Sequence, residues 1–236
     1  MSYYHSKPVD IRGIAKYLMK LDVKERMSIL GDFQKLRKVL FGKDLEQLDP
    51  HVSTHGEAWV YAAKSKITSL LFGSSRSHGD FDGIITIKED GKVCFKEAYE
   101  GAFEARFGGA IGAKCMLYEV DPSTFEDGKT SFAGEVVSEK PAKILSRRKV
   151  TNIHDELMAA IERGEFELVT YKKDDPAYVQ EMDEHIASRI EKYGVLDNPR
   201  GSMYKFCKKK FPEILKRMQN EREKGKAGAE AGGPEM

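Results

Sequence analysis

Between residues 10 and 40 apolar side chains recur every three or four positions, with Ile11, Ile14, Ala15 and Leu18 on one stripe and Ile29, Phe33, Leu36 and Leu40 on a second. That period puts each set on one helical face. Two amphipathic helices are predicted, the first capped by Asp10 and the second opening at Asp22 with Glu25 in capping-box spacing. From about Lys43 to Tyr171 the pattern changes. Short runs rich in β-branched and aromatic residues (58-AWVYA-62, 83-GIITIK-88, 92-KVCF-95, 115-CMLYEV-120, 135-EVVS-138 and 166-FELVTY-171) are separated by turn signals such as Glu89-Asp90-Gly91 and Asp121-Pro122. These read as strands. Helices are predicted near Ser65–Phe72 and from Ile153 to Arg163, the latter bounded by Asn152 and Gly164. Beyond Tyr171 helical spacing returns in Val179, Met182, Ile186 and Ile190, breaks at 197–201, and resumes in a last helix from Ser202. Strands that do not alternate regularly with helices predict an α+β fold, not a doubly wound parallel sheet. The expected organisation is an N-terminal helical segment (1–38), an α+β core of about six strands (39–171), a C-terminal helical extension (172–226) and a disordered tail (227–236).

The chain has 236 residues, 40% hydrophobic and 33% charged, with 39 basic against 38 acidic side chains. That is enough apolar material for one or two domains with a buried core, and it excludes a wholly disordered chain. A net charge of +1 gives no general attraction for nucleic acid or anionic lipid. Locally the balance differs: nine Lys or Arg against three Glu between Ser202 and Lys226 make a basic last helix. Cys94, Cys115 and Cys207 lie far apart, fitting neither a zinc cluster nor a disulfide framework and suggesting a reducing compartment. The start, MSYYHSKPVD, lacks an apolar signal core, and no run reaches the roughly twenty apolar residues of a membrane span. A cytoplasmic location away from membranes is expected.

The sequence contains no HExxH, no GxGxxG after a strand, no GxSxG and no GxxxxGK[ST], which removes the minimum chemistry of zincin, Rossmann, α/β-hydrolase and P-loop readings. The run 108-GGAIGAK-114 reads as a flexible turn, and His51 and His55 sit in a loop, so no metal site is expected. The sharpest local pattern is 56-GEAWVYAAKSKITSLLFG-73, where a strand carrying Tyr61 passes into a helix carrying Ser69 and Phe72. A strand residue and one about two turns into the next helix can face each other, so the two rings can clamp a planar heterocycle while Ser69 bonds its carboxamide. The same spacing is also compatible with two core aromatics.

This strand-helix pattern resembles the nicotinamide-binding element of ADP-ribosyltransferases of the diphtheria-toxin and poly-ADP-ribose polymerase class, in which a Tyr-x-Ala strand end precedes a helix with Ser and a second aromatic. The segment 132-FAGEVVSEKPAKIL-145 is similar to the family's late strand, which opens with a catalytic Glu. The resemblance spans about Val39 to Leu145. It implies a split antiparallel β core, NAD as co-substrate, Glu135 and Tyr61 as catalytic residues, and Tyr61 and Phe72 sandwiching nicotinamide with Ser69 on its amide. For the family's opening His-Gly, whose His bonds the adenosine ribose and whose Gly backbone bonds the amide, the best match is 39-VLFG-42. Gly42 then keeps the backbone role and Phe41 stands at the His position; His55 of 53-STHG-56 is the alternative ribose or pyrophosphate contact. The implied function is mono-ADP-ribosyl transfer from NAD to a macromolecular acceptor. The alternative is a catalytically inactive module of the same fold that contacts nucleic acid or a partner protein through the basic last helix.

Two further features carry less chemistry. The segment 97-EAYEGAFEARFGG-109 has the spacing of a short core-covering helix, with Glu97 and Glu100 as possible acceptor or pocket contacts. Lys208, Lys209 and Lys210, interleaved with Tyr204, Phe206 and Phe211, form either a nucleic-acid contact or a solvated helix face.

Overall fold

The computed structural model describes residues 3–8, 46–52, 56–74, 77–108 and 113–231. The expected N-terminal helical pair falls outside these residues, as do Phe41, Gly42 and His55. The described chain is mixed α and β, built on antiparallel pairing as expected. Its strands are β1 (Tyr3–Pro8), β2 (Gln47–Leu48), β3 (His51–Val52), β4 (Ala58–Ala63), β5 (Gly83–Ile87), β6 (Val93–Glu97), β7 (Cys115–Val120), β8 (Glu126–Asp127), β9 (Glu135–Ser138), β10 (Ala142–Val150) and β11 (Phe166–Val169). Its helices are α1 (Lys66–Phe72), α2 (Ala102–Phe107), α3 (Ile153–Glu162), α4 (Pro176–Lys192), α5 (Ser202–Lys210) and α6 (Pro212–Ala231). The larger sheet runs β2-β10-β7-β1-β4-β9-β8, with β3 added to β4; β11-β6-β5 form a three-stranded sheet.

Three findings correct the expected organisation. Residues 3–8, assigned to a helical segment ahead of the core, form a central strand: β1 pairs with β7 along its whole length, from Tyr3↔Val120 to Pro8↔Cys115. The count of about six strands is too low, because β1, β2, β3, β8 and the nine-residue β10 add to the six runs read as strands. Helix α6 runs to Ala231, into the segment expected as a tail.

By contact the chain divides into two compact units. The first comprises Met1–Ser77, Thr86–Cys94 and Glu104–Glu167. Within it Val60, Ala62, Tyr118, Val120, Val136 and Ala142 form a buried cluster on the sheet. Helix α1 forms because Ser65 caps it, its side chain accepting from the Ile67 N–H at 3.1 Å, and it buries Ile67, Thr68, Ser69, Leu70 and Leu71. Burial of Leu70 and Leu71 alone is worth about 1.5–3 kcal/mol each. Gly73 closes the helix where a Cβ would lie 3.0 Å from the Cys115 sulfur, so any larger residue there would have to press the Cys115 side chain of β7 back by a few tenths of an ångström.

The second unit comprises His78–Ile85, Phe95–Phe103 and Leu168–Met236. Asp175 caps α4, whose buried stripe is Tyr178, Met182, Ile186 and Ile190. Tyr178, not the expected Val179, opens it, since its hydroxyl donates to the Glu97 carbonyl at 2.9 Å. These residues share a core with Phe81, Tyr99, Ala102, Cys207, Phe211 and Leu215.

Candidate active site in the first unit

The site begins where two strands part. Between β1 and β4 the register gives one pair, Tyr4↔Ala63, whereas β4 and β9 pair over four, Val60↔Ser138 to Ala63↔Glu135. Next to the β1–β4 bridge His5 reaches across, its Nδ1 2.8 Å from the Tyr61 carbonyl oxygen. One residue on, the Ser6 hydroxyl donates to the Ser69 carbonyl of α1 at 2.6 Å. Side chains therefore fill the places where ladder hydrogen bonds would otherwise run, and a cleft opens beside them.

This cleft has a volume of about 200 Å³, below the ~300–1,000 Å³ of sites that enclose a whole drug-sized ligand, so it suits one ring with the rest of a larger molecule outside. Four residues singled out from the sequence line it together: Tyr61 from β4, Ser69 and Phe72 from α1, and Glu135 from the start of β9. Phe72 is 49% exposed, at the mouth, and packs edge-on against Phe132 with centroids 5.9 Å apart. Tyr61 is half-buried and lies 5.9 Å, ring to ring, from Trp59. Neither Tyr61 nor Phe72 is a fully buried core aromatic. Lys64, next to the residue in register with Glu135, pairs with Asp127, and this bond holds the Asp127 carboxyl below the usual carboxylate range.

Two hydroxyls stand out. Ser69 is 3% exposed and Thr68 fully buried, both line the cleft, and neither hydroxyl has a hydrogen-bond partner among the described residues. A buried hydroxyl without a partner costs about 1–3 kcal/mol, a cost that a ligand carrying the complementary groups removes.

Sequence reasoning missed His5, Ser6, Thr68 and Phe132. The signal for His5 is its place in a β-prone run, 3-YYHSKP-8, where the His is followed by Ser and not by the Gly of the family's pattern. Other candidates lie elsewhere or are otherwise engaged. Glu97 is 4% exposed and accepts from the Phe103 N–H at 2.7 Å and the Tyr171 N–H at 3.0 Å, so it braces the second unit instead of meeting an acceptor. Glu100 is exposed. Lys208 and Lys209 are exposed on α5, while the Lys210 ammonium lies 4.1 Å from the centroid of the Tyr99 ring, a cation–π contact. Burial pushes the Cys115 thiol up to about 12 and the Cys207 thiol up to about 11, so neither is a thiolate nucleophile near neutral pH. Among the described residues no group of three or more His, Cys, Asp or Glu is placed to hold a metal ion, and no helix is long and apolar enough to cross a membrane. The chain matches no protein-family model, no curated protein and no solved structure.

Proposed function

We propose that the protein is an NAD-dependent mono-ADP-ribosyltransferase with its nicotinamide pocket in this cleft. The observation that carries the reading is convergence: Tyr61, Ser69, Phe72 and Glu135, spread over seventy-odd positions, line one ring-sized cleft with His5 beside them. In this reading His5-Ser6 on β1, not Phe41-Gly42, takes the part of the family's opening His-Gly, with His5 meeting the ribose. Tyr61 and Phe72 hold the nicotinamide ring and Ser69 its amide.

The chemistry follows from charge. The bond between the ribose C1′ and the nicotinamide nitrogen breaks, its electron pair leaves with neutral nicotinamide, and positive charge spreads over C1′ and the ring oxygen. The Glu135 carboxylate accepts from a ribose hydroxyl and stabilises that charge. A nucleophile of the acceptor then bonds to C1′ and releases its proton to solvent. The half-buried rings keep competing water low around the cation.

Purified protein incubated with NAD should release nicotinamide, and Glu135→Ala should lower the rate about 10²–10³-fold with the fold intact. Absence of release from the wild type, or release unaffected by Glu135→Ala, overturns the reading. The exposed Lys208 and Lys209 favour a second reading, a non-cleaving module that docks on nucleic acid. That reading predicts salt-sensitive RNA binding without nicotinamide release.

A further inference from the structure

We infer that the second unit carries a stacking platform for an unpaired nucleobase, the ring of His78 laid on Phe206, with the lysines of α5 taking the neighbouring phosphates of a single-stranded nucleic acid. Charge alone carries the second reading of the function; a ring that selects single strands goes beyond it and stands whether or not the first unit cleaves NAD. The His78 and Phe206 rings lie face to face, their centroids 3.9 Å apart and their planes 13° from parallel. Phe206 is fixed by two further rings, Tyr99 and Phe211, each edge-on at 6.0 Å. His78 is fixed by Asp82, which is 1% exposed, accepts from the His78 backbone N–H at 2.7 Å and places Oδ1 3.3 Å from the imidazole Nδ1. The Tyr99 hydroxyl donates to the same oxygen at 3.3 Å. A ring held in this way loses little further freedom when a ligand settles on it.

Yet 42% of the His78 side chain is exposed. Phe206 covers one face of the imidazole and Asp82 lies at its Nδ1 edge, so the opening belongs to the opposite face and the Nε2 edge. A planar heterocycle laid there continues the column, as unstacked bases do on exposed His, Tyr and Phe rings. Charge lies alongside. Lys205, Lys208 and Lys209 are exposed on α5, spaced so that neighbouring side chains stand about 5–6 Å apart, and Lys209 follows Phe206 by one turn. None of the three has an acidic partner among the described residues. An acidic peptide would satisfy these cations and leave the open ring face unused. An anionic membrane would meet Ser202, Lys205, Lys208 and Lys209 at the exposed positions of α5, with no large apolar side chain among them to insert. A duplex keeps its bases covered. A single strand supplies both a free base and phosphates.

The test is fluorescence anisotropy titration of the full chain with a labelled oligoadenylate RNA, an abasic strand of equal length and a duplex of equal length, on wild type, His78→Ala, His78→Phe and the double variant Lys205→Gln with Lys209→Gln. Wild type should bind oligoadenylate about tenfold more tightly than either the abasic strand or the duplex. His78→Ala should lose about tenfold on oligoadenylate and nothing on the abasic strand, while His78→Phe, which keeps a ring, stays within about threefold of wild type. The lysine variant should instead lower the slope of log affinity against log salt by about 1.4, on both single strands alike. Equal affinity for base-bearing and abasic strands, tighter binding of the duplex, unchanged oligoadenylate affinity in His78→Ala, or binding of polyglutamate or anionic vesicles in place of oligoadenylate overturns the inference. The wild-type comparison with the abasic strand decides it even where His78→Ala fails to fold. Nicotinamide release enters none of these readings, so the platform and the transferase can each fail alone.

Discussion

His5 has one way to bond Tyr61: a carbonyl oxygen only accepts, so Nδ1 carries the proton and donates across 2.8 Å. Under the proposed function, in which His5 meets the ribose, His5→Ala should raise the KM for NAD about tenfold with a smaller change in kcat, read from initial rates of nicotinamide release; a lowered Tm with KM unmoved would make the residue purely structural. The contrast with Glu135 shows what can be read at this scale. Tyr61, Ser69 and Phe72 lie on one strand-helix unit, and Glu135 opens a strand of clear β pattern, so short local segments announced them. His5 acquires meaning only from the Tyr61 carbonyl, and Ser6 from that of Ser69, partners that lie far along the chain and that no local window contains. Thr68 was hidden differently, since buried threonines in helices are ordinary until their hydroxyls prove unpartnered.

Helix α1 holds the cleft's floor, and charge fixes its first turn. Glu156 on α3 accepts from the Arg148 guanidinium at 2.5 and 3.2 Å and from the Lys66 ammonium at 3.3 Å. Arg148 first, then Lys66, keeps the Glu156 carboxyl below the usual carboxylate range. A carboxyl depressed in the folded state adds stability that is present above its unfolded value, about 4.3, and is lost as pH falls through the folded value. Glu156→Gln should lower stability at pH 7 by about 0.5–1 kcal/mol, the gap closing as pH drops below about 4, as urea unfolding across pH would measure. At this scale the sequence was readable wherever burial was one-sided and periodic: β4, β7, β9, α1 and α3 lie close to their expected bounds. Strand β10 was not readable. Its run Ser146–Lys149 is exposed and polar, and it is held in the sheet by pairing with β7 from Arg147↔Tyr118 to Val150↔Cys115, which hydrophobic patterning does not record.

The molecule's two units are interleaved along the chain, which composition alone could not reveal. A boundary after Tyr171 looks natural in sequence, yet the core of the second unit joins Tyr178, Met182, Ile186 and Leu215 to Phe81 and Tyr99. A chain cut after Tyr171 would leave Phe81 and Tyr99 without that cover. It should aggregate, or unfold without a cooperative transition, in thermal scans followed by circular dichroism; a soluble fragment with a sharp transition would contradict this packing. Strand β1 carries a further implication, for biosynthesis. It leaves the ribosome before either flanking strand, since β4 begins at Ala58 and β7 at Cys115. It meets β4 at the single pair Tyr4↔Ala63, so pairing along its length must wait until β7 is translated. No nascent intermediate ending before Glu135 can contain the assembled cleft, so the activity proposed above would switch on late in translation, once β1 is captured between strands made long after it.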